Sequence, residues 1–226
     1  AKLKQHADSP CRWVVTDGVF SMEGDVAPLK ELVELCSQRN AVLVVDDSHG
    51  IGVLGNTGRG TPEFADVLGQ VDIITGTLGK ALGGGAGGYV SGSQKLIDVL
   101  EQRSRPGLFS NALPATIACS ANRAIELLQE QPEMVTRLHS NVRLVREGLA
   151  NLGFECPDSP TAIIPIMIGD EAEAIRKGQR LLELGVLVVG FAFPVVPKGE
   201  ARLRVQVSAA LETAHIERAL DALAKL

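Results

Sequence analysis

The stretch AVLVVDD, residues 41–47, constrains the fold more than any other: five apolar residues in succession, then two acids. A strand that reads as an unbroken apolar run needs cover on both faces, the condition of a parallel sheet layered with helices. Its surroundings agree. CRWVVTDG reads as a strand entering a loop, and PLKELVELCSQRN as an amphipathic helix with Pro28 suited to its first turn. VDIITG and GGYVSG supply two further short strands. Strand–helix–strand order predicts an α/β fold whose ligands sit beyond the carboxyl ends of the strands.

From about Pro114 the pattern changes. Two long helical stretches, the second ending at Gly153, are followed by the strands TAIIPIMIG, VLVVGF and ARLRVQVSAA and by the helices DEAEAIRKGQRLLELG and ETAHIERALDALAKL. This second part reads as a compact α+β unit, so the expected domains are 1–120 and 121–226. The opening AKLKQHADSP reads as the tail of a helix already under way, and a preceding segment is expected.

Composition narrows the classes. The chain has 226 residues, 45% apolar and 22% charged, which excludes a disordered reading. A net charge of −5 without a basic run argues against a nucleic-acid partner. No apolar stretch reaches membrane-spanning length. Four widely spaced cysteines without a CxxC pair read as reduced, buried thiols rather than a zinc site.

The chemistry concentrates in DIITGTLGKALGGGAGGYV, 72–90, where one lysine, Lys80, stands among seven glycines. GGGAGG, 83–88, formally matches a dinucleotide fingerprint, but that loop must open a helix, and here it leads into strand-like YVSG. A triphosphate-binding loop would want glycine at Ile74 and a hydroxyl at Ala81. Asp46, Asp47 and His49 are near enough in sequence to suggest a metal, yet no second His or carboxylate cluster accompanies them. A pyridoxal phosphate site fits better. It needs a lysine as covalent anchor, a carboxylate for the pyridine nitrogen, and amides and hydroxyls for the phosphate. Lys80, Asp46, His49 near the ring, and the hydroxyls of Thr75 and Thr77 meet those needs, and glycines let amides approach a phosphate.

With these residues in view, the chain resembles the α-oxoamine synthase family of fold-type-I pyridoxal phosphate enzymes. The stretches TDGVFSMEGDVAPL, VVDDSHGIGVLGNTGRG, DIITGTLGKALGGGAGGY, RSRPGLFSNALP and GFAFPVVPKGEARLRVQVSA carry the resemblance, which covers essentially the whole chain. GKALGG, FSNALP and PVVPKG point to the branch that acetylates glycine. The resemblance implies part of a large domain with a mostly parallel sheet, followed by a C-terminal α+β small domain. It implies that Lys80 holds the cofactor, that Asp46 pairs with the ring nitrogen and that His49 lies near the ring oxygen. Ser21 and Thr77 then contact the cofactor within the subunit, and Ser110 reaches its phosphate across a homodimer interface. Arg204 grips the substrate carboxylate, with Arg202 as the fallback on the same strand face. No metal is implied.

The implied activity is a cytoplasmic (or organellar) acyl transfer joining glycine and acetyl-CoA into 2-amino-3-ketobutyrate and CoA, or the reverse cleavage. Two alternatives stand beside it: another member of the family with a different acyl-CoA or amino acid, and a non-catalytic binding module of the same fold. Family members carry a long segment ahead of the region matched here, so the chain is expected to be inactive alone.

Overall fold

A computed structural model of the chain describes residues 1–83 and 85–226. It divides into two compact units, one of residues 1–19 and 26–132, the other of residues 20–25 and 133–226.

The first unit contains α1 (Lys2–Gln5), β1 (Trp13–Asp17), α2 (Leu29–Arg39), β2 (Val42–Asp46), α3 (Thr61–Phe64) and β3 (Ile73–Thr77). β4 (Gly88–Gly92), α4 (Gln94–Arg103), α5 (Arg105–Phe109) and α6 (Ala115–Glu130) complete it. Its sheet runs β1-β2-β3-β4, the first two pairings parallel and the last antiparallel. This is the α/β, mostly parallel arrangement that the apolar runs predict. Pro28 occupies the N-cap of α2, and Asn40 ends that helix in the left-handed conformation (φ 47°). Leu29 and Cys36 of α2 bury with Leu43 and Val45 of β2 and with Val67. The cover of β2 is uneven, because Val42 and Val44 on its other face are only half-buried.

The second unit contains α7 (Glu133–Asn151), β5 (Ile163–Gly169), α8 (Glu171–Glu183), β6 (Val189–Phe191), β7 (Ala201–Gln206) and α9 (Thr213–Leu223). Its sheet is antiparallel with β7 central, in the order β5-β7-β6. Ile163, Ile164, Ile166 and Leu203 are fully buried, as are Ala174 and Leu181 of α8. A boundary at 120/121 would cut α6. The units instead divide after Pro132, because Ala121 and Leu128 of α6 pack on Leu78 and Leu82 of the first unit.

Two sequence expectations change. Of the four cysteines, all free, only Cys36 is buried; Cys11 and Cys119 are exposed and Cys156 is half-buried. The segment 20–25 leaves the first unit between Val19 and Val26, which bridge each other, and joins the second. Its tether is polar. The carbonyl of Gly24 accepts from Ser159 Oγ (2.6 Å) and Thr161 Oγ1 (3.1 Å). Arg202, 2% exposed, donates to Glu23 Oε1 (2.9 Å), Glu200 Oε2 (3.2 Å) and the Glu200 carbonyl (3.0 Å). Among the described residues, no helix is long and apolar enough to cross a membrane.

A buried guanidinium that loses one of its carboxylates keeps its desolvation cost. Glu23→Gln should therefore lower unfolding free energy by about 1–3 kcal/mol in urea melts. Hydrogen exchange should also quicken across 20–25; unchanged exchange there would show that the tether rests on Ser159 and Thr161 alone.

Candidate functional site

β2 and β3 are neighbours and parallel, so both deliver their following loops to one edge of the sheet. Asp46 ends β2 opposite Thr75 of β3. Its carboxylate accepts from the Ser48 amide at 2.9 Å. Burial raises the affinity of Asp46 for its proton. Hydrogen bonds from Ser48 and Thr75, with the charge of Lys80, outweigh that and hold the carboxyl below its ordinary range. The group is ionised at neutral pH, as a partner for a protonated ring nitrogen must be.

Lys80 follows β3 by three residues. Leu78 and Leu82, buried on either side of it, anchor its turn to Ala121 and Leu128 of α6. The lysine itself is exposed. Its Nζ lies 2.9 Å from Nε2 of His49, in the turn after β2. Thr77 Oγ1 accepts from the Gly79 amide (3.3 Å) and donates to the Gly87 carbonyl (3.2 Å), tying the two ends of the glycine loop together. Within that loop Gly83, Gly85 and Gly87 have φ of 66°, 86° and 84°, open only to glycine at little cost. Gly84, part of the formal dinucleotide match, lies outside the described residues. The loop feeds β4 rather than a helix, which removes the helix N-terminus a dinucleotide site needs.

The structure thus brings Asp46, His49, Thr77 and Lys80 to the ends of β2 and β3. Ser110 is exposed at the end of α5. Ser21 and Arg204 belong to the second unit, Ser21 on the tethered segment and Arg204 on β7. The two arginines of β7 differ. Arg202 is buried and already engaged with Glu23 and Glu200, so it is not free to grip a substrate, and the fallback is withdrawn. Arg204 is half-buried, and desolvation lowers its proton affinity. It stands 5.9 Å from the Phe191 ring centroid, and its buried Nε has no hydrogen-bond partner among the described residues. A guanidinium left short of acceptors suits an incoming carboxylate.

A carboxylate kept ionised, an imidazole and a primary amine on one sheet edge, above a loop whose glycines can present amides, fit pyridoxal phosphate. Asp46 would hold the ring nitrogen, Lys80 the aldehyde carbon, and Thr77 with the loop amides the phosphate. The fold is that of a fold-type-I pyridoxal phosphate transferase.

The chain belongs to the aminotransferase class I and II family, which it matches over residues 1–223. It is 45% identical to 2-amino-3-ketobutyrate coenzyme A ligase of Salmonella typhimurium, over 100% of this chain and 57% of that protein. It is also 45% identical to 8-amino-7-oxononanoate synthase of Symbiobacterium thermophilum, over 95% of this chain and 55% of the relative. Both are α-oxoamine synthases, as the motifs imply. A serine palmitoyltransferase solved with pyridoxal phosphate superposes with a TM-score of 0.92 at 32% identity, covering 99% of this chain and 57% of the other. The chain therefore spans a little over half the length of these relatives.

Sequence reasoning named Asp47 only as a possible metal ligand. The structure turns its carboxylate away from that role. It is 1% exposed, and accepts from the Thr61 amide (3.0 Å) and, in a very short hydrogen bond, from the Thr61 hydroxyl. The signal was present as glycines at 18, 50 and 60, each placed where a Cβ would strike Asp47. Nothing in one sequence ties those three positions together.

Burial pushes the Asp47 carboxyl up to about 6, against the hydrogen bonds from Thr61 and with the help of the neighbouring Asp46 charge. The folded state then binds more protons than the unfolded state between about pH 4 and pH 6, so this group's contribution to stability falls as pH rises through that window. Asp47→Asn should remove that slope. Relative to the variant, the wild type should lose on the order of 3 kcal/mol of unfolding free energy from pH 4 to pH 7. Urea melts in steps of pH test this, and parallel profiles would assign the slope to other groups.

Proposed function

We propose that the protein carrying this chain joins glycine to the acetyl group of acetyl-CoA, giving 2-amino-3-ketobutyrate and CoA, or runs the reverse cleavage. The observation that carries the reading is the Lys80–His49 contact beside the ionised Asp46. The motifs GKALGG, FSNALP and PVVPKG, with the name of the Salmonella relative, support glycine and acetyl-CoA as the substrates. A second reading, a synthase for another acyl-CoA or amino acid, is favoured by the equal identity to the oxononanoate synthase.

Pyridoxal phosphate, when bound, draws off the electron pair left at the α-carbon of the amino acid once its proton is removed. The chain's residues do the rest. Asp46 keeps a proton on the ring nitrogen by staying ionised. Lys80 would hold the cofactor and, as a free amine, would take the α-proton. His49, within hydrogen-bond reach of that amine, limits where it can swing and can donate to the thioester oxygen as the carbon–sulfur bond gives way. Arg204 fixes the substrate carboxylate and hence the direction of the α-hydrogen.

A homodimer is part of this reading. Ser110, next to Leu108 and to Phe109 at 80% exposure, is the residue through which one subunit would reach its partner's phosphate. The cytoplasm is the proposed location, with an organellar matrix as the alternative.

In the complete protein, Lys80→Ala should cut turnover by about 10²–10⁴-fold or more, the range for loss of a positioned base. Borohydride should place the pyridoxyl mass on Lys80 in the wild type and on no residue of the variant. Normal turnover by the variant would end the assignment. Arg204→Ala should raise the apparent KM for glycine by about 10–100-fold, the equivalent of a charge-assisted pair, while moving that for acetyl-CoA little. Equal changes in both would place the carboxylate grip elsewhere, and turnover only with a longer acyl-CoA would favour the second reading.

A further inference from the structure

Asp47 is a buried carboxylate that the chemistry above leaves without a task. Both its backbone and its side chain are tied. Its amide donates to the Thr75 carbonyl (2.8 Å), continuing the pairing of β2 with β3 one residue past the strand. Its carbonyl accepts from Gly50 (3.0 Å) and Ile51 (2.9 Å), closing the turn in which His49 sits. Its carboxylate takes both donors of Thr61, the residue that begins α3.

The space around that carboxylate is built for it. Gly18 follows β1, Gly50 lies in the turn after β2, and Gly60 is the N-cap of α3. A Cβ on any of the three would collide with the Asp47 carboxylate, and on Gly18 or Gly50 with the Thr61 hydroxyl as well. The loop after β1, the turn after β2 and the start of α3 therefore meet on one side chain. The two donors of Thr61 go to separate oxygens, the amide to Oδ2 and the hydroxyl to Oδ1. The carboxylate accepts both without any rearrangement, whereas an asparagine could keep the two contacts only if the Thr61 hydroxyl turned to accept from its NH₂. Holding an acid here is costly, as its raised proton affinity shows, so bulk alone does not account for it.

We propose that Asp47 is a positioning residue for the Lys80–His49 pair: clasped by Thr61 within the three glycines, it locks the turn that keeps the imidazole against the lysine amine. The inference rests on the reading of Lys80 as the cofactor-bearing lysine.

The test uses Thr61→Val, which keeps the size and the amide but removes the hydroxyl, Thr61→Ser, which restores it, and Asp47→Asn. In the complete protein freed of cofactor, the readout is the titration midpoint of His49 by NMR of ¹⁵N-labelled histidine. With cofactor, it is the pH midpoint of the absorbance of the lysine-bound pyridoxal phosphate. Thr61→Val and Asp47→Asn should move both midpoints in the same direction by about half a pH unit or more, and Thr61→Ser should return them to the wild-type values. Lower melting temperatures with both midpoints unmoved would overturn the proposal and make Asp47 a packing element. Should Asp47→Asn fail to fold, the Thr61 pair decides alone. A moved His49 midpoint, with no pyridoxyl mass on wild-type Lys80 after borohydride, would uphold the positioning role and remove the cofactor reading instead.

Discussion

Everything the site can do depends on the parallel pairing of β2 with β3, in which Asp46 stands opposite Thr75. Parallel neighbours end at the same edge, so the acid that closes one strand and the lysine turn that follows the other are delivered together. An antiparallel partner would have sent Lys80 to the far side of the sheet. The pairing also supplies Thr75 as a hydrogen-bond partner of Asp46, which helps keep that carboxylate ionised despite burial. Structure and electrostatics at this edge are therefore one fact. A slip of one residue would exchange the faces on which Asp46 and Asp47 lie.

The anchoring of Lys80 follows a different logic. Two leucines, two residues away on either side, are buried against α6, and the lysine between them is left exposed. Apolar burial fixes the turn while the glycines beyond it keep the backbone open. That division lets a reactive side chain be mobile at its tip and fixed at its root. It also explains why α6 belongs with the first unit, although the helical stretch looks from the sequence like the start of the second.

Periodicity made most of the fold legible. Strands β1 to β3, helix α2, and the β and α elements after residue 160 lie where the apolar runs place them, because each carries its own pattern of burial. The meeting of Lys80, Asp46 and His49 was foreshadowed because a lone lysine among glycines and an acid ending an apolar strand are conspicuous chemistry. What escaped was set by contacts between distant segments. The tether of residues 20–25 to the second unit is made by Ser159, Thr161 and Arg202, all more than a hundred residues away. The clasp of Asp47 depends on glycines scattered from 18 to 60. Single residues of these kinds have no local signature.

Two pairs of like-charged residues show how a strand assigns roles. Asp46 and Asp47 are adjacent, so alternation sends them to opposite faces, and their proton affinities part, one lowered and the other raised to about 6. Arg202 and Arg204 are two apart, so alternation cannot separate them. Partners do: Arg202 holds two carboxylates and a carbonyl, while Arg204 keeps a buried nitrogen without an acceptor among the described residues. In each pair one member, Asp47 or Arg202, is consumed by the architecture. The consumed member is the more deeply buried in both cases, because a charge removed from water has to be satisfied by the protein itself. Asp46 and Arg204, only partly buried, keep some of their solvation by water.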